Sequence, residues 1–498
     1  MIQKLIPIMV FAVFGFYLMG GLFSAKLGMI DDHEIPYFLG SDGRITLSEL
    51  PGVIGKTEIG AWGEYLRFRP SYYTLRVLET MLWRDNATLW FAARYVLLVL
   101  SMWMGFSVMT VYFPKILSYL FIFYTLTMPF WADILTRLGP SETYAVLALV
   151  VFAYGWQFEK SVLVFLGYIL GIGSKENILF LFPLLLVWTG IKILNKTLTR
   201  KELMGILLSI GFTTWVVGGI VLATNKAGAD IYGAPISYRY RVTRFVWDIP
   251  KIIAERSMYF SVATALILSI GSMFKIYRKK VLPNLICLLL VLMCIASQYI
   301  FYPNTIPNHS RYDYPALLLI RIADLVAIVG LLKIVSSTRL RNYIKGILYL
   351  LLGLYTLMGI YRYGYIHTLS RSETVVSATN SFDNNINKIM VATKSNENAI
   401  FVFVSERYID FEPVSSVVRY LNARQVKNRI EFKYTPQSKL SDPLGIHLEK
   451  RLIGAMNGEN KEELFERFDV YSDPKNECYS ITFGYASALP NCPEIVRF

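Results

Sequence analysis

The chain has 498 residues, 54% hydrophobic and 17% charged, with a formal net charge of +14 and a mean hydropathy of +0.43. A soluble domain carries roughly a quarter charged residues, so the composition excludes an ordinary soluble enzyme. Much of the basic excess lies in short segments beside apolar runs, which points to helix orientation in a membrane and away from a nucleic-acid partner.

Apolar runs of about 17 to 22 residues recur through positions 1–363, the length a helix needs to cross hydrocarbon. Residues 5–23 form the first span, too long for a signal-peptide core and without a small-residue cleavage site, so an uncleaved signal anchor is expected. A polar outer loop, 24–86, follows. It opens with Asp31-Asp32-His33-Glu34, carries Trp62 among scattered glycines, and closes with Arg67-Phe68-Arg69-Pro70-Ser71-Tyr72-Tyr73. Ten further spans are predicted: 87–113, with Arg94 near its start, then 116–131, 143–156, 162–171, 178–194, 203–223, 258–274, 282–301, 316–332 and 344–361. Residues 224–256 read as a Tyr- and Arg-rich loop containing Arg239, Arg241 and Arg244. The fold class is thus a polytopic α-helical membrane protein with about eleven transmembrane helices.

From 364 to 498 the pattern turns soluble. Residues 399–404, 429–434 and 479–483 read as strands and 413–424 as a helix, giving a small α/β domain. Cys287 and Cys294 lie in an apolar run and pack as small hydrophobes. Cys478 and Cys492 can form a disulfide if the tail is exported.

With the N-terminus inside, three inner loops each carry four bases: Lys192, Lys196, Arg200 and Lys201; Lys275, Arg278, Lys279 and Lys280; Lys333, Arg339, Arg341 and Lys345. That matches the positive-inside rule, although the 224–256 loop, placed outside, is basic too. Every polar cluster then falls on the outer face: the acidic loop, the 137–142 turn, Lys175-Glu176, the Tyr-Arg loop and the 308–315 segment. A transporter needs polar groups near mid-membrane; here they gather on one side.

The acidic run 31–34 reads either as a solvated loop that stops the first span or as a general base or metal anchor. Arg67, Arg69, Arg239, Arg241 and Arg311 are each, singly, as consistent with ordinary interfacial arginines as with a functional role; together they suit phosphate oxygens, which guanidinium binds bidentately. Lys175-Glu176 can be a neutralised pair in a turn, and Arg321 with Asp324, one turn apart, a buried structural pair. His33 and His309 are too isolated to read as metal ligands.

Taken in order, these residues resemble a membrane glycosyltransferase of the GT-C class. The resemblance rests on Asp31-Asp32 after the first span, Arg-Phe-Arg-Pro-Ser-Tyr-Tyr (67–73), Arg-Leu-Gly-Pro-Ser-Glu (137–142), Ser-Lys-Glu (174–176) and Ser-Arg-Tyr-Asp-Tyr-Pro (310–315). It covers about residues 1–360; the tail matches no family. It implies transfer of a sugar from a polyprenyl-phosphate carrier to an outer-face glycan or lipid-linked acceptor, such as O-antigen or surface polysaccharide, with inversion.

The resemblance assigns Asp31 or Asp32 as catalytic base, with Mg or Mn as a possible divalent metal. Many members have Asp-Glu where this chain has Asp-Asp. Substrate contacts are expected from Glu34, Arg67, Arg69, Tyr72, Glu142, Lys175, Glu176, Arg239, Arg241, His309, Arg311 and Tyr312. The expected partners are a lipid-linked sugar donor, a glycan acceptor and the bilayer, with no nucleic acid. The implied location is the inner (cytoplasmic) membrane, active site and tail on the periplasmic or extracellular face. A glycan polymerase or ligase and a lipid-linked sugar flippase stand as alternatives.

Overall fold

The computed structural model describes residues 2–40, 42–63, 67–227, 238–301, 311–334, 338–406, 411–434, 468–470 and 477–498. Among them, seven helices are long and apolar enough to cross a membrane, nine if each of two bent pairs counts as one span. The chain forms two compact units that do not follow chain order. One comprises Met1–Gly20, Ile54–Arg76 and Ala93–Ser372; the other Gly21–Val53, Val77–Ala92 and Glu373–Phe498.

In chain order the helices begin with α1 (Ile2–Met19), α2 (Glu34–Leu39), α3 (Leu50–Gly55), α4 (Pro70–Trp83) and α5 (Ala87–Tyr112). There follow α6 (Lys115–Thr125), α7 (Phe130–Thr136), α8 (Glu142–Gln157), α9 (Ser161–Ile172), α10 (Leu181–Leu194) and α11 (Arg200–Ala227). The membrane part continues with α12 (Tyr238–Glu255), α13 (Tyr259–Met273), α14 (Lys275–Phe301), α15 (Ala316–Ile334) and α16 (Thr338–Tyr363).

The expected count of eleven spans is not borne out: helices lie at the expected positions, but among the described residues only seven to nine spans qualify, because four of the eleven are broken or short. The α6–α7 pair bends by 84° just before Pro129, which has no N–H to continue the ladder. The α12–α13 pair bends by 110° at Ser257, whose φ of 52° ends the helix. Helices α8 and α9 have 16 and 12 residues. At 1.5 Å per residue they are about 24 and 18 Å long, short of the roughly 30 Å of hydrocarbon. They pack against each other along their lengths because Gly155 and Gly167 sit at the crossing. A Cβ on Gly167 would lie 2.7 Å from the Ala148 carbonyl oxygen, and one on Gly155 2.6 Å from the Val164 nitrogen. Small residues that admit backbone to backbone are the usual device of membrane helix pairs.

The 224–256 segment, expected as a loop, is helical over most of its described length. Helix α11 runs to Ala227 and α12 starts at Tyr238. The Tyr-Arg alternation disguised a helix with Arg244 paired to Asp248 one turn on and with Val246 and Trp247 exposed. That pattern is amphipathic at period 3.6, suited to an interface rather than to a span.

The second unit takes most of α17 (Ile366–Ser395), from Glu373 on, followed by β1 (Ile400–Ser405), α18 (Phe411–Ala423), β2 (Ile430–Tyr434), β3 (Phe468–Val470), β4 (Cys478–Thr482) and β5 (Glu494–Arg497). All pairings are parallel, in the order β3-β2-β1-β4-β5. Strand alternation sends Phe401 and Phe403 to the face covered by Phe382, Ile386, Val414, Val417 and Leu421 of α17 and α18. Ile400, Val402 and Val404 face Cys478, Ala486 and Cys492 on the other side. Both faces are covered, so β1 is an unbroken apolar run, as central parallel strands are. The three expected strands and the helix between them are present. Residues 366–395, β3 and β5 are additions that the expectation lacked. Cys478 and Cys492 are disulfide-bonded.

Candidate functional site

The membrane unit gathers charge at one end of the α8–α9 hairpin. Because the two helices are antiparallel neighbours, the start of α8 and the residues after α9 fall at the same end, and there Lys175 Nζ meets Glu142 Oε1 at 2.5 Å. Both side chains are buried, so each charge depends on the other. Lys175 also lies 5.3 Å from the centre of the Tyr312 ring, which Arg311 approaches at 5.5 Å.

The 137–142 turn that delivers Glu142 is pinned from three sides. Tyr72 Oη donates to the Gly139 carbonyl at 2.8 Å. Arg76 donates to the Leu138 carbonyl at 2.9 Å, and Arg94 reaches the same carbonyl at 3.5 Å while bonding Tyr144 Oη at 2.7 Å. Arg76 and Arg94 are fully buried. Neither stood out in the sequence as part of a site.

Arg69 belongs to the same unit. Its backbone N–H and guanidinium both reach Glu58, the closest contact being Nη2 to Oε1 at 2.5 Å, and Nη2 also donates to Tyr73 Oη at 3.2 Å. Tyr72 and Tyr73 flank the guanidinium at 5.0 and 5.3 Å. Burial alone would lower the Arg69 pKa, but Glu58 and then Tyr73 outweigh it, so the group is held charged well above its ordinary value. The segment is anchored to the end of α9: Ser71 Oγ donates to Ile169 O at 2.9 Å, and the Tyr72 N–H to Gly173 O at 3.1 Å.

Beside Lys175, Glu176 is 7% exposed, and both its carboxylate oxygens are buried with no hydrogen-bond partner. It acts electrostatically on Arg69. Asn177 Nδ2 bonds Gln298 Oε1 and the Tyr314 carbonyl, and Gln298 bonds the Tyr312 carbonyl. A buried Arg256–Asp313 pair at 3.1 Å fixes the same stretch. Arg67 lies close enough to act on the Tyr312 hydroxyl.

The acidic run lies in the second unit. Asp32 is 6% exposed, and its Oδ2 accepts the Gly28 N–H at 2.7 Å while its carbonyl accepts the Ile35 N–H at 3.0 Å. Asp31 is half-buried with a φ of 68°, the left-handed region that aspartate tolerates better than most residues. Glu34 opens α2, where a carboxylate favours the helix dipole.

Within the membrane unit, then, Arg67, Arg69, Tyr72, Glu142, Lys175, Glu176, Arg311 and Tyr312 form one polar region, while Asp31, Asp32 and Glu34 form another in the second unit. Arg239 and Arg241 stand on α12, Arg239 exposed and Arg241 half-buried. His309 lies outside the described residues. Arg321 and Asp324 are paired at 3.5 Å, and Ser261 Oγ donates to Asp324 at 2.6 Å. Glu58, Tyr73, Arg76, Arg94 and Gln298 are the positions that sequence reasoning missed. Glu58 sits in no motif, and the only signal was a semi-buried arginine in need of a carboxylate. Among the described residues no three His, Cys, Asp or Glu side chains are grouped to hold a metal. Comparison with protein-family models, curated proteins and solved structures gives no match.

Proposed function

We propose that the chain is a multi-pass membrane glycosyltransferase that moves a sugar from a polyprenyl-phosphate carrier to an outer-face glycan or lipid-linked acceptor. The observation that carries this reading is the polar region around the α8–α9 hairpin. Arg67, Arg69, Lys175 and Arg311 supply four cationic groups there against three carboxylates, Glu58, Glu142 and Glu176. Guanidinium is the group best shaped to bind the oxygens of a phosphodiester monoanion. The long apolar helices offer grooves for a polyprenyl tail.

The reaction is a single displacement. A carboxylate takes the proton of the acceptor hydroxyl, the hydroxyl oxygen attacks the anomeric carbon, and the bond from that carbon to the phosphate oxygen breaks with inversion. The departing phosphate carries away the electron pair, and the cationic groups stabilise the charge that grows on it. The resemblance, and not the geometry of the polar region, nominates Asp31 or Asp32 as the base. Glu176, with neither carboxylate oxygen hydrogen-bonded, is free to accept from a sugar hydroxyl. The Cys478–Cys492 disulfide supports an oxidising compartment for the tail, hence the periplasmic or extracellular face of a cytoplasmic membrane.

The test is turnover by purified protein in nanodiscs offered polyprenyl-phosphate sugars and glycan acceptors. Wild type is run beside Asp31→Asn, Asp32→Asn, Glu176→Gln and Arg311→Ala. Loss of transfer in an aspartate variant, with donor binding kept, supports the reading; weakened donor binding in Arg311→Ala supports the phosphate cradle. Full activity in the Asp31→Asn/Asp32→Asn double variant removes the base and favours a polymerase or ligase. The Arg321–Asp324–Ser261 contact is the observation that favours a flippase instead. That reading wins if neutralising the pair abolishes carrier translocation while the aspartate variants remain active.

A further inference from the structure

We propose that helix α18 of the C-terminal domain sets the conformation of the Asp31–Asp32 turn, with Ser416 and Tyr420 as its positioning residues. Two residues of the first loop receive the contacts. Tyr420 Oη donates to the Gly28 carbonyl at 2.8 Å, and Ser416 Oγ donates to the Met29 carbonyl. The N–H of the same Gly28 donates to the Asp32 carboxylate. A hydroxyl on α18 and the buried aspartate therefore hold one residue from its two sides.

The surroundings fix both ends of this relay. The Tyr420 ring packs edge-to-face on Phe382 at 4.9 Å, so its hydroxyl has little freedom to move. Leu27 and Met29 pack against the core under the sheet, and α2 packs on α18, with the Arg419 guanidinium 4.8 Å from the Tyr37 ring. A side chain at Gly28 is crowded in this arrangement. A Cβ there would lie 3.2 Å from Asp32 Oδ2 and 3.5 Å from a Thr379 methyl group. The tail is in this way the template on which the acidic turn is formed, a role that its own sequence, with no motif, does not announce.

The consequence for catalysis rests on the glycosyltransferase reading; the control of the turn does not. Two measurements on the full-length protein separate them. The first is amide hydrogen exchange across residues 26–35 in wild type, Ser416→Ala/Tyr420→Phe and, as a control on an exposed edge of the same domain, Arg497→Ala. Exchange in the double variant rises about thirtyfold, equivalent to about 2 kcal/mol at about 1.4 kcal/mol per tenfold, as two hydrogen bonds would supply. The control stays at the wild-type rate. Unchanged exchange in a folded double variant overturns the proposal. Gly28→Ala attacks the relay from the loop side without touching α18, and gives the same rise if the double variant does not fold.

The second measurement is transfer kinetics: kcat falls with KM for the carrier unchanged, because the cationic groups lie in neither altered segment. Faster exchange with an unaltered kcat overturns the catalytic role of the positioning. Absence of transfer in wild type overturns the glycosyltransferase reading, and the exchange result then decides the control of the turn by itself.

Discussion

Glu142 and Asp32 are both buried carboxylates, and they are held by different physics. Glu142 is neutralised by a full charge, Lys175 at 2.5 Å, at the end of a tightly packed hairpin of short helices. Asp32 Oδ2 accepts the Gly28 amide, in a turn that a separate helix supports. A buried ion pair is costly to break because the abandoned partner keeps its desolvated charge. Changing a carboxylate that accepts a neutral amide forfeits that hydrogen bond, about 1 kcal/mol. The two carboxylates thus differ in what their removal leaves behind: a buried unpaired ammonium in one case, an unpaired amide in the other.

The largest expected effect breaks the first half of that contrast. Glu142→Ala leaves the Lys175 ammonium buried and destabilises by about 3–5 kcal/mol, read as a lowered unfolding midpoint in detergent. The double variant Glu142→Gln/Lys175→Met recovers most of the loss, because both charges are then gone. Recovery no better than either single variant would mean the pair does not act as a unit.

Next in size is the tail. Reducing Cys478–Cys492, a bridge closing 14 residues, costs about 3 kcal/mol. It is measured as earlier protease cleavage within 396–498 while the membrane helices stay intact. Gly167→Leu comes third: it forces α8 and α9 apart where a Cβ would already meet the Ala148 carbonyl, at about 1–3 kcal/mol of overpacking. It also shifts Glu142 from Lys175, so weakened donor binding accompanies the lower midpoint. The smallest effect has the opposite sign. Asp31→Gly relieves a positive φ and stabilises by up to about 1 kcal/mol, yet transfer is lost if Asp31 is the base, which separates folding from chemistry at that position.

The long apolar runs were legible because about 20 consecutive apolar residues mark a span by length alone. Helix α12 was misread as a loop because Tyr and Arg alternate at its start, and its apolar residues emerge as one face only when Val242, Val246 and Ile249 are set at helical spacing. Strands β3 and β5, with three and four residues, are too short for alternation to declare itself. In the site, the Glu142–Lys175 pair unites two motifs read separately, 33 residues apart. Glu58, Arg76 and Arg94 were out of reach, since their importance comes from tertiary neighbours that no local pattern encodes. The hold of α18 on the first loop was equally hidden, because hydroxyl-to-carbonyl bonds carry no sequence signature on the carbonyl side.

That hold joins residues 392 positions apart, Gly28 and Tyr420. A ribosome makes the acidic turn almost at once but supplies its template only after Tyr420 has left the tunnel. Throughout that interval the turn has no fixed shape, however completely the intervening helices have inserted. The parallel sheet beneath α18 imposes the same order, since its central strand β1 must wait for β4, 78 residues later. Assembly of the acidic turn is therefore among the last events of biogenesis, and a chain arrested before α18 carries its membrane helices and both aspartates without the means to set them.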